Sequence, residues 1–175
     1  MTNGYEEAKA QRNLLERITA KIPGFRGFQD RELRRDVDKL EREHLASEVG
    51  RLKGVLRARA AAYTDAGRIG SLQAFDRLDR QMDGLSQAIR FSDYGASGLF
   101  DAVKIGEPEL SRLYEFDLSV LQDLSELESA IAAVPPPGAD DPAPALDKAL
   151  AQVGGLADKW RSREQVMGSV VKTGH

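Results

Sequence analysis

The feature that most constrains this chain is a run of 37 residues, Asp30 to Ala66, that contains no proline. Alanine, leucine, arginine, lysine and glutamate dominate the run, and these residues favour a helix wherever packing allows one. We therefore predict one long helix over about residues 30–66, extending on the order of 55 Å from the rise per residue. Because such a helix exceeds the usual globular length, it predicts an all-α antiparallel bundle built around it.

One face of this long helix is hydrophobic. Apolar residues recur three or four positions apart, which is typical of a helix that buries one side. A single five-residue step occurs beside His44. The residues of this face are Leu33, Val37, Leu40, Leu45, Val49, Leu52, Leu56 and Tyr63.

The opposite face carries what we call the small-residue ridge: Ser47, Gly50, Gly54, Ala58 and Ala61. A glycine inside a helix costs roughly 0.5 to 1 kcal/mol relative to alanine. We therefore expect a second helix, from this chain or from another copy, to approach Gly50 and Gly54 closely. The alternative is a solvated face whose residues happen to be small, because GxxxG is mainly a membrane motif.

Composition limits the classes of function. The 175 residues contain no cysteine, which excludes disulfides and thiolate metal sites. The N-terminus is polar and acidic rather than signal-like, and no apolar run approaches about 18 residues, so we expect a cytoplasmic protein without a transmembrane segment. Residues 1–91 hold 18 basic against 14 acidic side chains, and residues 92–175 hold 7 against 14. The two halves should attract each other, and the alternating charges disfavour nucleic-acid binding.

Four further helices are expected around the long one. The first covers about residues 5–22, and the third, about residues 71–91, follows so short a turn that it must pack antiparallel to the long helix. The fourth begins near Glu107 and carries a seam with one polar member, Asp117, for which we expect Arg59 as a buried ionic partner. The seam consists of Leu110, Leu113, Asp117, Val120, Leu124, Leu127, Ile131 and Val134.

Five of the seven prolines fall in residues 135–144, which predicts a semi-rigid linker between a bundle domain, residues 1–134, and a C-terminal helix and tail, residues 145–175. We expect this last helix to be interrupted at Gly154 and Gly155. It could dock on the bundle, exchange with a second copy, or act as a tethered recognition helix. If it docks, Trp160, the only tryptophan, is the expected anchor.

Two loops combine glycine with aromatic residues. Phe25 and Phe28 follow the first helix, where their rings either plug the end of the core or form an anchor for a membrane surface or partner. Tyr94 and Phe100 lie in the glycine-rich stretch 92–106, which either wraps the bundle or contacts a ligand or partner.

Only one group of residues suggests metal chemistry. Glu41 and His44 have the Glu-x-x-His spacing found in di-iron bundles, and Glu48 lies one turn further along. The other histidine is the terminal His175, so a complete site requires a second copy of the chain. The alternative is a partly exposed histidine where the hydrophobic face shifts register. No catalytic triad or phosphate loop is present.

Three segments carry a resemblance to a known family: Ile22 to Phe25, Asp93 to Asp101, and Leu113 to Asp117. Their letters IPGF, DYGxxGLFD and LYEFD resemble recurring signatures of an uncharacterised family of small helical bacterial proteins. The resemblance covers about residues 10–133. It implies a bacterial, cytoplasmic setting and no particular activity.

Together these patterns favour a non-catalytic interaction or scaffold protein that self-associates, needs no cofactor and binds protein partners of unknown identity. The small-residue ridge, the acidic fourth helix and the two aromatic loops are the expected contact surfaces. The alternatives are a metal-binding bundle that uses Glu41, His44 and Glu48 across a homodimer, and a peripheral membrane protein that binds through Phe25 and Phe28.

Overall fold

The computed structural model describes residues 3–28, 34–92 and 107–172, and within them it confirms an all-α bundle. The long helix ends at Asp65, and the start expected for it at residue 30 lies outside the described residues. The helices are α1 (Asn3–Thr19), α2 (Arg34–Asp65), α3 (Leu72–Arg90), α4 (Glu107–Ala132) and α5 (Ala143–Lys172).

Helices α2 and α3 form the expected hairpin. Gly67 has a φ of 68°, and the backbone N–H of Arg68 donates to the carbonyl of Tyr63 at 2.8 Å. A glycine in this left-handed conformation ends a helix without steric cost. A short 3-10 turn, Ile69–Ser71, then leads into α3. Across the hairpin Arg57 forms two hydrogen bonds with Asp79, at 2.8 and 3.0 Å, and Lys53 pairs with Asp83.

The core lies where the hydrophobic faces meet. The described residues of the long helix's hydrophobic face are buried, apart from the half-buried Leu40, and every residue of the α4 seam is buried. Helix α1 packs against α4 and contributes Ile18, with Ile22 following in the loop. The α3 face is buried as its spacing predicts: Phe75, Leu78, Met82, Leu85 and Ile89.

Helix α5 is docked on the bundle. It packs against α3 and α4, and Trp160 is only 4% exposed. The interruption expected at Gly154 and Gly155 is wrong, because the helix is continuous through both residues. Their flanking residues Val153 and Leu156 are buried, and this packing offsets the low helix propensity of two glycines.

The proline segment is tied to the bundle at both ends. Tyr63 Oη donates to the carbonyl of Pro135 at 3.0 Å, and the preceding Val134 is buried. At the other end the Asp141 carboxylate accepts from the backbone N–H of Ala143 at 3.0 Å, which caps the first turn of α5. Of the three arrangements considered for the C-terminal helix, the chain therefore adopts the docked one.

No described helix covers the small-residue ridge at its two glycines. Gly50 and Gly54 are exposed, and apart from α2 itself no described atom lies within 4 Å of a Cβ built at either position. The described helices that pack on α2, α3 and α4, lie on its hydrophobic side instead. Packing by a second copy stays a prediction.

None of the described helices combines the length and the apolar character needed to cross a bilayer.

Candidate functional site

The most unusual feature of the interior is a buried cluster of charged side chains, which we call the Arg163 cluster: Asp38, Glu41, Arg42, Asp117 and Arg163. Arg163 Nη1 donates to Asp38 at 2.7 Å and Nη2 donates to Glu41 at 2.9 Å. Its Nε lies 3.6 Å from Asp117 Oδ1. One guanidinium from α5 therefore contacts carboxylates from both α2 and α4.

The helical repeat explains how these side chains meet. Asp38 and Glu41 are three residues apart, so both project from one side of α2. Asp117 occupies the polar position of the otherwise hydrophobic α4 seam, which directs its carboxylate into the core. Arg163 follows Trp160 by three residues on α5, and its guanidinium carbon lies 4.9 Å from the Trp160 ring centroid. This cation–π contact helps hold the guanidinium in place.

Arg42 connects the cluster to a third neighbour. Its Nε donates to the second oxygen of Asp38 at 2.8 Å, while Nη1 donates to the backbone carbonyl of Arg90 at 3.0 Å. Arg90 is the last residue of α3, where helix carbonyls lack an intrahelical partner. The cluster thus joins α2, α3, α4 and α5 within a few ångströms.

The carboxyl groups of Glu41 and Asp117 are electrostatically perturbed. Both side chains are fully buried, and this loss of solvation raises the pKa of Glu41 well above its ordinary value, with a further increase from the nearby Asp117. Burial also raises the pKa of Asp117 to about 6, although Arg163 opposes the change. Burial favours the neutral form of an acid, whereas a guanidinium favours the charged form.

An aromatic plug lies next to the cluster. The rings of Phe25 and Phe28 are 5.5 Å apart and edge to face, and Phe28 stacks on Tyr114 at 6.0 Å. Tyr114 Oη accepts the backbone N–H of Phe28 at 2.9 Å, and Arg34 Nε donates to the Phe28 carbonyl at 2.6 Å. Burial raises the pKa of Tyr114.

Phe25 and Phe28 therefore plug the core, as one of the two alternatives predicts, with exposures of 4% and 0%. Rings buried in this way are not available to anchor the protein to a membrane. Trp160 is likewise buried, as expected for a docked helix. The predicted contact residues Tyr94 and Phe100 lie outside the described residues.

The residues of the metal hypothesis occupy two different places. Glu41 Oε2 accepts from Arg163 inside the cluster. His44 is half-buried and, together with Glu48 and Arg51, lines a separate groove of about 270 Å³ between α2 and α4. Glu48 is paired there with Arg51 at 3.0 Å. Among residues 3–28, 34–92 and 107–172, no three potential ligands are grouped to hold a metal ion.

The ionic partner expected for Asp117 is wrong. Arg163 pairs with Asp117, whereas Arg59 lies 18 residues beyond Glu41 on α2. That separation corresponds to about 27 Å along a helix. The spacing of the α4 seam predicts that Asp117 is buried. It does not predict Arg163 as the partner, because the sequence does not show which helix packs beside α4.

Chemically, the Arg163 cluster resembles sites where neighbouring acids have different proton affinities, a feature common in catalytic centres. Here, however, its carboxylates and guanidinium groups are at most 7% exposed, so a substrate cannot reach them without movement of the helices. The arrangement is suited to fixing the register of packed helices.

Comparison with known proteins adds no assignment: no family model, curated protein or solved structure matches this chain.

Proposed function

We propose that this chain is a non-catalytic interaction protein that self-associates through the small-residue ridge of α2. The observation that carries the proposal is the exposure of Gly50 and Gly54, with open space beside both among the described residues. Val55, next to Gly54, is 42% exposed and adds hydrophobic surface. As part of the same proposal we infer the bacterial, cytoplasmic setting that the family resemblance implies.

The helix-propensity cost of Gly50 and Gly54 supports a role for both glycines in self-association. Two interior glycines together cost about 1 to 2 kcal/mol relative to alanine. Within the described part of the chain nothing is gained in return, since no neighbouring backbone approaches either position. A helix from a second copy can approach a surface without Cβ atoms closely, and the dispersion contacts of that approach offset the cost.

The test is the solution mass of a double variant, Gly50→Gln with Gly54→Gln. Glutamine favours the helix, is polar and fits the open space of the monomer, so the fold should be retained while a close helix–helix contact is blocked. Sedimentation equilibrium over a wide concentration range should show the wild type exceeding its monomer mass of 19.2 kDa. The variant should stay at that mass or associate at least about tenfold more weakly.

Gly84→Gln is the matched control. Gly84 is an exposed glycine in the middle of α3 with the same open surroundings, so it should gain helix propensity and associate like the wild type. A wild type that remains at 19.2 kDa at every concentration contradicts the proposal. Equal association of the double variant and the wild type contradicts it as well.

A further inference from the structure

The Arg163 cluster places three carboxyl groups against two guanidinium groups. Arg42 and Arg163 bring two positive charges, and Asp38, Glu41 and Asp117 bring three negative charges when all are ionised. Glu41 and Asp117 are both 0% exposed. An ionised carboxylate is expensive to bury, so a neutral Glu41 lowers the cost of placing three acids beside these two guanidinium groups.

We propose that a proton held between Glu41 and Asp117 is an integral part of the folded protein, so that the packing of α2, α4 and α5 around Arg163 tightens as the pH falls and loosens as it rises. This inference is independent of self-association, because it concerns the interior of one chain.

The hydrogen-bond pattern shows where the proton belongs. Glu41 Oε2 accepts from Arg163, whereas Glu41 Oε1 and both oxygens of Asp117 are buried without a hydrogen-bond partner among the described atoms, although Arg163 Nε lies 3.6 Å from Asp117 Oδ1. Two ionised carboxylates cannot hydrogen-bond to each other. A proton on Glu41 Oε1 that is donated to Asp117 satisfies two of these three buried oxygens at once.

Other described polar and charged groups lie around the pair, including the buried cation Arg34. On α2, Asp38 is shared by Arg42 and Arg163, and on α4 the neighbouring Tyr114 is a neutral phenol. Arg34 lies beside Tyr114 and donates to the Phe28 carbonyl. Helix α3 contributes a backbone carbonyl, that of Arg90. Glu41 and Asp117 are therefore the two acids of the cluster that a shared proton would serve.

The direction of the pH effect follows from linkage. The pKa values of Glu41 and Asp117 are raised on folding, in both cases chiefly by burial. The folded state therefore binds more protons than the unfolded state above pH 4, and stability falls as the pH rises through the folded pKa values. For one proton, the unfolding constant should increase by up to about tenfold per pH unit in this window.

The first experiment compares urea unfolding of the wild type and Glu41→Gln between pH 5 and 9. Glutamine imitates protonated glutamate, because its carbonyl accepts from Arg163 and its amide donates to Asp117. The ratio of the wild-type unfolding constant to that of the variant should grow with pH. Glu43→Gln, at an exposed site on α2, is the matched control whose ratio to the wild type should stay constant.

The second measurement needs no substitution. In the wild type, the carboxyl carbon of Glu41, followed by NMR, should keep its protonated chemical shift to a higher pH than an ordinary glutamate carboxyl, because burial raises the pKa of Glu41. The fluorescence of Trp160, which stacks on Arg163, should respond in the same pH range as Glu41. A Glu41 carboxyl that loses its proton in the same pH range as an ordinary glutamate overturns the proposal. A Glu41→Gln ratio that does not change with pH overturns it too.

Discussion

Gly24 and Gly27 share the same backbone conformation but differ in how closely other side chains approach them. Both have a φ of 83°, which side chains other than glycine rarely adopt. A Cβ at Gly24 would meet Leu40 at 3.7 Å, an ordinary contact. A Cβ at Gly27 would lie 2.6 Å from Tyr114 Oη and 2.9 Å from Leu15. Gly27 therefore allows the Phe25–Phe28 loop to approach α4, where Tyr114 accepts its hydrogen bond from Phe28.

We expect Gly27→Ala to destabilise the protein by about 1–3 kcal/mol more than Gly24→Ala. Both variants lose the left-handed preference of glycine, which costs roughly 1–2 kcal/mol, but only Gly27→Ala forces Tyr114 and Leu15 to move. Urea unfolding of the two variants measures this difference directly. Equal losses of stability would show that the loop is not held against Tyr114 as described.

Among the helices, α4 was the easiest to predict and α5 the hardest. The heptad spacing of α4 identifies its buried seam from the sequence alone, including Asp117. The partner of Asp117 could not be predicted, because Arg163 is 46 residues away along the chain and reaches it only through the docking of α5. The proline segment gave no indication of this docking, since a semi-rigid linker is compatible with a docked, exchanged or free helix.

The small-residue ridge shows a second limit of predicting helix packing from sequence spacing. Its spacing correctly placed Gly50 and Gly54 on the side of α2 opposite the hydrophobic face. Spacing does not reveal how many helices surround α2, and the described helices that pack on it, α3 and α4, lie on its hydrophobic side. A pattern on one helix therefore predicts which face is distinctive, whereas the occupant of that face depends on contacts between elements far apart in sequence.

At the level of elements we expect Arg163→Met to lower the free energy of unfolding by about 3–5 kcal/mol, the usual cost of leaving a buried charge unpaired. Methionine fills a similar volume but carries no charge. Asp38 then keeps Arg42 as its ionic partner, whereas Asp117 loses the guanidinium beside it. Arg161→Met, two residues away with its side chain 73% exposed, should change stability by no more than about 0.5 kcal/mol. Thermal and urea unfolding provide the comparison.

A double variant separates charge from packing. Adding Asp117→Asn to Arg163→Met removes the acid that has lost its guanidinium and should recover part of the lost stability, because Asp38 keeps its ion pair with Arg42. If Arg163→Met is no more harmful than Arg161→Met, or if the second substitution only adds to the loss, the Arg163 cluster does not connect the helices electrostatically.

For the whole molecule, the main consequence of the structure is that α5 belongs to the core. Leu146, Val153, Leu156 and Trp160 are at most 4% exposed. At about 1.5–3 kcal/mol for each large side chain, their burial contributes roughly 6–12 kcal/mol. The net stability of a domain is only about 5–15 kcal/mol. Removal of α5 should therefore affect the folding of the entire chain rather than one appended helix.

We accordingly expect a chain that ends at Val134 to lose cooperative unfolding, although the sequence alone divides the protein into a bundle over residues 1–134 and a separate C-terminal helix. Without α5, the surfaces of α3 and α4 that it covers are exposed, and Asp38, Glu41 and Asp117 lose Arg163. Thermal unfolding followed by circular dichroism, with binding of a hydrophobic dye, measures the effect.

A chain ending at Gln165 retains Trp160 and Arg163 and should unfold like the full chain. A peptide of residues 143–165 added to the shortened chain should restore cooperative unfolding, because the contacts of α5 are side-chain contacts that need no covalent link. If the chain of residues 1–134 unfolds cooperatively at the temperature of the full protein, α5 is dispensable and the division drawn from the sequence is correct.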